Sequence, residues 1–268
     1  MTTLFAPAVG KVLKYELSDV VRSKWIAAYA LFFLVVTDAL FRFGGGSAHV
    51  VLSLMNVVLV LIPLVSLIFG TIYLYSAREF TELMLAQPVR RGHLFAGLYG
   101  GLVLPLAAAF ALGVTLPFLW HGGAAGAAGD TLALLVLVGV LLTAAFLALA
   151  LLIAVRFDDR MKGLAAALVA WLFFAVVYDG LVLVAVHAFS AYPLERPLLA
   201  LTLLNPVDLG RVLLLLNVDV AALLGYTGAV FEQFFGTGLG FGVALLALGA
   251  WCAVPLALAH RLFTRKDF

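Results

Sequence analysis

Apolar residues fall in long, nearly unbroken runs at 25–43, 50–75, 94–119, 131–155, 163–189 and 237–263. A helix needs about 20 apolar residues to cross a hydrocarbon core of about 30 Å. Each run meets that length, so the pattern predicts six transmembrane helices. The strict polar–apolar alternation of a membrane β-barrel strand is absent from them. A seventh apolar stretch, 198–235, is interrupted by Asn205-Pro206, Asp208, Arg211, Asn217, Asp219, Gly225 and Gly228. One full crossing there would place the last basic cluster on the wrong side of the membrane. Two short crossings would bury several ionisable groups, at about 2.5–3.5 kcal/mol each. The expectation is therefore a helical hairpin over 190–236, dipping into the outer face. Asn205 followed by Pro206 is a helix start, a side-chain cap and then a first-turn proline. Asp208 and Arg211 lie three apart on one face of that helix.

Ahead of the first crossing, Val9, Val12, Leu13, Leu17, Val20 and Val21 fall on one helical stripe. Lys11, Lys14, Ser18 and Arg22 fall on the other. Residues 1–24 thus form a basic amphipathic leader suited to the headgroup plane, where membrane lipids are its first partner. It serves either as a surface anchor or as an element that touches a cytoplasmic protein. The six-span domain is 25–263, and 264–268 is a short tail.

Composition sharpens this picture. Of 268 residues, 65% are hydrophobic and 11% charged, with a mean hydropathy of +1.19. Those values exclude an ordinary soluble globule and a disordered chain. The net charge of +2 is too small to suggest nucleic acid, and a single cysteine cannot form an internal disulfide. Placement of charge is more informative. Thirteen of the 16 lysines and arginines flank the crossings on one side; Arg42, Arg196 and Arg211 stand on the other. The positive-inside rule then puts both termini in the cytoplasm.

The loop between crossings two and three, 78–93, carries the clearest local design. Arg78, Glu79 and Glu82 lead a short helix on which Phe80, Leu83 and Met84 share a face. Pro88 ends it, and Arg90 and Arg91 restart the chain at the membrane surface. A short cytoplasmic helix with an apolar ridge suits a groove on another protein. An ordinary turn with snorkelling arginines is the plainer reading.

Chemistry is otherwise sparse. No phosphate-binding Gly-x-x-x-x-Gly-Lys-Ser/Thr loop and no His-Glu-x-x-His are present, and His49, His93, His121, His187 and His260 are scattered. No catalytic residue, metal site or bound cofactor is expected. Glycines four apart, Gly97/Gly101, Gly236/Gly240 and Gly238/Gly242, suggest close helix packing. Among membrane-depth polar residues, Asp38 pairs naturally with Arg42 four positions on, and Asn56 and Thr143 suit interhelical hydrogen bonds. Asp179 in the fifth crossing is either a functional group or one half of a structural lock with a partner such as Arg211.

The 78–93 loop resembles that of ABC-2 type transporter permeases through Glu79, Thr81, Glu82, Leu83, Leu85, Pro88 and Arg91. Phe80 stands where that family carries glycine, and Arg90 where it carries serine. The stretch Leu204-Asn205-Pro206-Val207-Asp208 with Arg211 resembles the branch that serves maturation of nitrous oxide reductase, a copper enzyme. The resemblance implies an all-α permease that forms a homodimer, with each loop helix docked on a cytoplasmic ATPase that holds ATP and Mg. It also implies a periplasmic accessory protein, and either export of a sulfur-containing species or transmission of motion. Two other classes stay open from the residues alone: a secondary transporter using Asp179, and a membrane scaffold for a periplasmic enzyme system.

Overall fold

The computed structural model describes residues 23–44, 47–85, 91–122, 127–189, 195–217 and 238–265. Among these there are ten α-helices, one π-helical turn and no strand. In chain order the helices are α1 (Lys24–Gly44), α2 (Ser47–Ser76), α3 (Arg78–Leu85), α4 (Arg91–Trp120) and α5 (Ala127–Arg156). They continue as α6 (Arg160–Leu172), α7 (Tyr178–Ala188), α8 (Glu195–Leu203), α9 (Pro206–Asn217) and α10 (Gly238–Arg265). Six helices have the length and apolarity to cross a membrane, as the pattern of runs requires. The fifth crossing is composite: α6, the π turn Phe173–Val177 and α7 run on as Arg160–Ala188.

Helix α5 is the hub, with α2, α4 and α10 packed around it, α1 on α4, and α6 on α2. Leu135, Val138, Leu142 and Phe146 of α5 are fully buried against Leu54, Val58 and Ile62 of α2 and Leu102, Leu106 and Phe110 of α4. Lipid is as apolar as these side chains, so close packing and interhelical polar contacts hold such helices together. Two contacts illustrate this. A Cβ at Gly113 would stand 2.7 Å from the Ala30 carbonyl oxygen, so glycine lets α1 lie directly on the α4 backbone. Beside it, Phe33 and Phe110 meet edge to face at 5.0 Å. Tyr99 then ties α4 to α5 by donating its hydroxyl to the Ala144 carbonyl at 2.9 Å.

Helices α8 and α9 meet at a bend of 111°, between Pro197–Leu203 and Pro206–Leu215, so they turn back instead of forming one straight crossing. Leu209, Leu213 and Leu214 are buried in the main core. A Cβ at Gly210 would come within 2.9 Å of Val138 and 3.1 Å of Leu59. These neighbours lie about ten residues, or ~15 Å, inside the ends of α5 and α2. Helix α9 is therefore wedged into the bundle. The rest of the expected hairpin, 190–194 and 218–236, and the leader at 1–22 lie outside the described residues.

Of three further sequence expectations, one is corrected and two find no partner among the described residues. Asn56 is exposed on α2 and makes no hydrogen bond to another helix among the described residues. Thr143 is buried, yet its hydroxyl donates to the Gly139 carbonyl of its own helix at 2.8 Å. Gly238 and Gly242 have no described residue within 4 Å of an added Cβ. Helical periodicity shows which residues share a face but not which way that face turns.

Candidate functional site

Two regions carry the polar groups, one at each end of the bundle. At the basic end, α2 passes through Ala77 into α3, and Thr81 is buried with its hydroxyl on the Ala77 carbonyl at 2.9 Å. Glu79, Glu82 and Leu83 face outward, Leu83 being 67% exposed. Met84 and Leu85 turn the other way, onto the small cluster around Leu94, Phe95, Leu98 and Phe263. The expected ridge of Phe80, Leu83 and Met84 is thus divided: Leu83 is its outward knob, Phe80 is half-buried, and Met84 is the anchor. Arg91 opens α4 and donates to the Thr264 carbonyl at 2.9 Å, fastening the ends of α4 and α10 together. Pro88 and Arg90 lie outside the described residues.

Arg78 departs furthest from expectation. Its two terminal nitrogens donate to the Asp158 carbonyl at 3.1 Å and the Asp158 carboxylate at 3.0 Å, and its Nε lies 3.4 Å from Glu82. Asp158 was not singled out from the sequence. The available signal was two adjacent acids, Asp158 and Asp159, in a turn otherwise flanked by Arg156, Arg160 and Lys162.

At the opposite end, the start of α9 converges on the fifth crossing. Asn205 caps α9, its Oδ1 accepting the Val207 N–H at 3.0 Å. Its Nδ2 donates at 3.0 Å to the Phe174 carbonyl, inside the π turn, and at 3.0 Å to Asp208. A π turn shifts the local hydrogen-bond register, and such turns recur at functional sites. Here a side chain from another helix serves one of its carbonyls. Immediately after the turn, Tyr178 donates to the Leu201 carbonyl at 2.7 Å and Asp179 meets Arg211 at 2.8 Å. Arg211 also holds Asp208 at 3.0 Å, and Trp251 of α10 closes the group by donating to the Leu203 carbonyl at 3.2 Å. Asp179 thus meets the partner that the lock reading names, Arg211.

This cluster sets two carboxylates against one guanidinium. Asp208 is the more enclosed, with its side chain 15% exposed against 35% for Asp179. A separate group joins α1 to α4: Asp38 pairs with Arg42 at 2.7 Å, as the spacing implies, and also with His121 Nε2 at 2.9 Å. His121 is stacked on Phe41 at 4.8 Å. Among the described residues no three metal-ligating side chains gather.

An outward-facing helix at one end, a wedged helix at the other and a packed bundle between them define a polytopic membrane protein of the helical-bundle class. The family model for the ABC-2 family transporter protein matches residues 11–268, and the chain belongs to that family. It is 31% identical to a probable ABC transporter permease protein NosY of Pseudomonas aeruginosa, over 97% of this chain and 99% of that protein. It is 27% identical to a protein of the same description from Stutzerimonas stutzeri, over 96% of this chain and 98% of that one. The chain is accordingly the permease component of an ABC transporter, similar to NosY permeases.

Proposed function

We propose that this permease couples ATP hydrolysis on a separate cytoplasmic ATPase to work at the outer face of the bacterial inner membrane. That work serves the maturation of a copper enzyme, with nitrous oxide reductase the enzyme the NosY resemblance suggests. It is either export of a sulfur-containing species or mechanical signalling to a periplasmic accessory protein. ATP and Mg belong to the partner, both termini are cytoplasmic, and two copies of the permease act together.

The observation that carries the reading is the outward face of α3. Glu79, Glu82 and Leu83 project from an eight-residue helix anchored by Met84 and Thr81. An exposed acidic pair beside one apolar knob complements a basic groove with an apolar floor. Pairing of two copies draws support from the fifth crossing, only 6% of whose apolar window is buried within one chain. Leu172, Val176, Leu183 and Val184 are exposed along it. Pairing of Asp179 with Arg211 favours the permease over a secondary transporter that titrates Asp179.

Co-purification tests the docking. The permease is purified together with candidate ABC ATPases, and retention of an ATPase on the tagged permease is measured. Glu82→Arg reverses the charge of the docking face and is expected to abolish retention while the helical circular dichroism is unchanged. Full retention by Glu82→Arg together with Leu83→Ala overturns α3 as the docking element.

A further inference from the structure

Two contacts fasten the α3 segment to the turn that precedes the fifth crossing. Tyr75, near the end of α2, donates its hydroxyl to the Phe157 carbonyl at 2.6 Å. Arg78, the first residue of α3, reaches both the carbonyl and the carboxylate of Asp158, at 3.1 and 3.0 Å. The partners are 82 and 80 positions apart, so these are tertiary contacts and not local turn geometry. Gly163 makes room for the first of them. A Cβ there would stand 2.0 Å from the Tyr75 hydroxyl oxygen, which no side chain allows.

The turn thus gripped leads straight into a helix. Asp159 caps α6, accepting the Met161 N–H at 2.7 Å and the Lys162 N–H at 3.4 Å. From Arg160 the chain runs as one helical rod of 29 residues, ~44 Å, to Ala188. The rod has one irregular point, the π turn, and just beyond it Asp179 engages Arg211. Force applied to α3 therefore has a continuous hydrogen-bonded route to the outer cluster.

Arg78 itself is poorly placed to meet an ATPase. Its side chain is 35% exposed, and all three guanidinium nitrogens face acceptors within this chain. Glu79 and Leu83 face outward instead. As an exposed ion pair the Arg78–Asp158 contact adds little stability. Two converging charge-assisted bonds nonetheless fix direction, which is what a mechanical link needs.

We propose that Arg78, supported by Tyr75, is a positioning residue that passes movement of the docking helix to the fifth crossing, and through it to the Asp179–Arg211 pair. This rests on the docking role of α3 proposed above, but it gives Arg78 a partner inside the permease.

The test uses the full permease with its ATPase in a Cys252→Ser background, with a spin label at Leu183→Cys, an exposed position of α7 beyond the π turn. The label's spectrum is recorded without nucleotide and with ATP plus vanadate. Arg78→Glu and Asp158→Arg are each expected to keep the ATPase bound yet reduce the nucleotide-dependent spectral change by about fivefold, within the range of such couplings. The reciprocal pair, Arg78→Glu with Asp158→Arg, is expected to recover most of it, which a merely misfolded chain cannot do. Arg78→Gln, a milder change, is expected to show the same loss. An undiminished response in Arg78→Gln overturns the relay, as does loss of ATPase binding in Arg78→Gln, which would make Arg78 a docking contact. If the labelled background chain itself fails to hold the ATPase, the docking role falls and the relay with it.

Discussion

Arg211 of α9 holds Asp179 of the fifth crossing at 2.8 Å across 32 positions of sequence, while keeping Asp208 of its own helix at 3.0 Å. One guanidinium therefore joins the wedged helix to the crossing next to its π turn. Movement of either helix must break that pair or carry the other helix with it.

Removing one partner should expose the size of this link. Asp179→Asn and Arg211→Gln are each expected to lower the stability of the detergent-purified chain by about 1 kcal/mol, as the groups are partly exposed and the pair is screened. The double variant should cost less than the sum of the two, read from thermal unfolding of all four proteins. Strict additivity would mean that the two side chains do not interact.

Asn205 does more for its size than any neighbour, because one side chain caps α9, serves a π-turn carbonyl and steadies Asp208. Asn205→Ala is expected to cost about 2 kcal/mol, a lost cap together with a part-buried carbonyl left unserved. Asn205→Asp keeps the cap but turns an acceptor toward the Phe174 carbonyl and the Asp208 carboxylate. It should be worse than alanine at neutral pH. Equal stability of the two variants would remove the amide donor from this account.

Gly113 and Gly242 offer a paired test of packing. At Gly113 an added Cβ would meet backbone, 2.7 Å from the Ala30 carbonyl oxygen, so α1 must move away from α4. Gly113→Ala is expected to cost about 1–3 kcal/mol, as overpacking does. At Gly242 no described residue lies within 4 Å of an added Cβ, and alanine should leave the single chain's stability unchanged or slightly raised. Chemical unfolding followed by tryptophan fluorescence distinguishes the two.

Membrane residence, the six crossings and the helix start at Asn205-Pro206 were all legible in the sequence. They depend on run length, composition and local capping, each a property of neighbouring residues. The Asp38–Arg42 pair belongs with them, since four residues of helix bring the two together. The acidic face of the 78–93 loop was also readable, because Glu79 and Glu82 sit within one turn of each other. Tertiary structure alone decided where each helical face turns. It left Asn56 exposed, turned Met84 inward, and set no described residue within 4 Å of an added Cβ at Gly238 or Gly242. It also chose the distant partners: His121 for Asp38, Asp158 for Arg78 and Arg211 for Asp179. The physical reason is common to all of these. In a chain whose crossings are apolar all round, periodicity barely ranks one face over another, so orientation follows from how the helices fit together. The few polar groups then pair with whatever that fit places within reach.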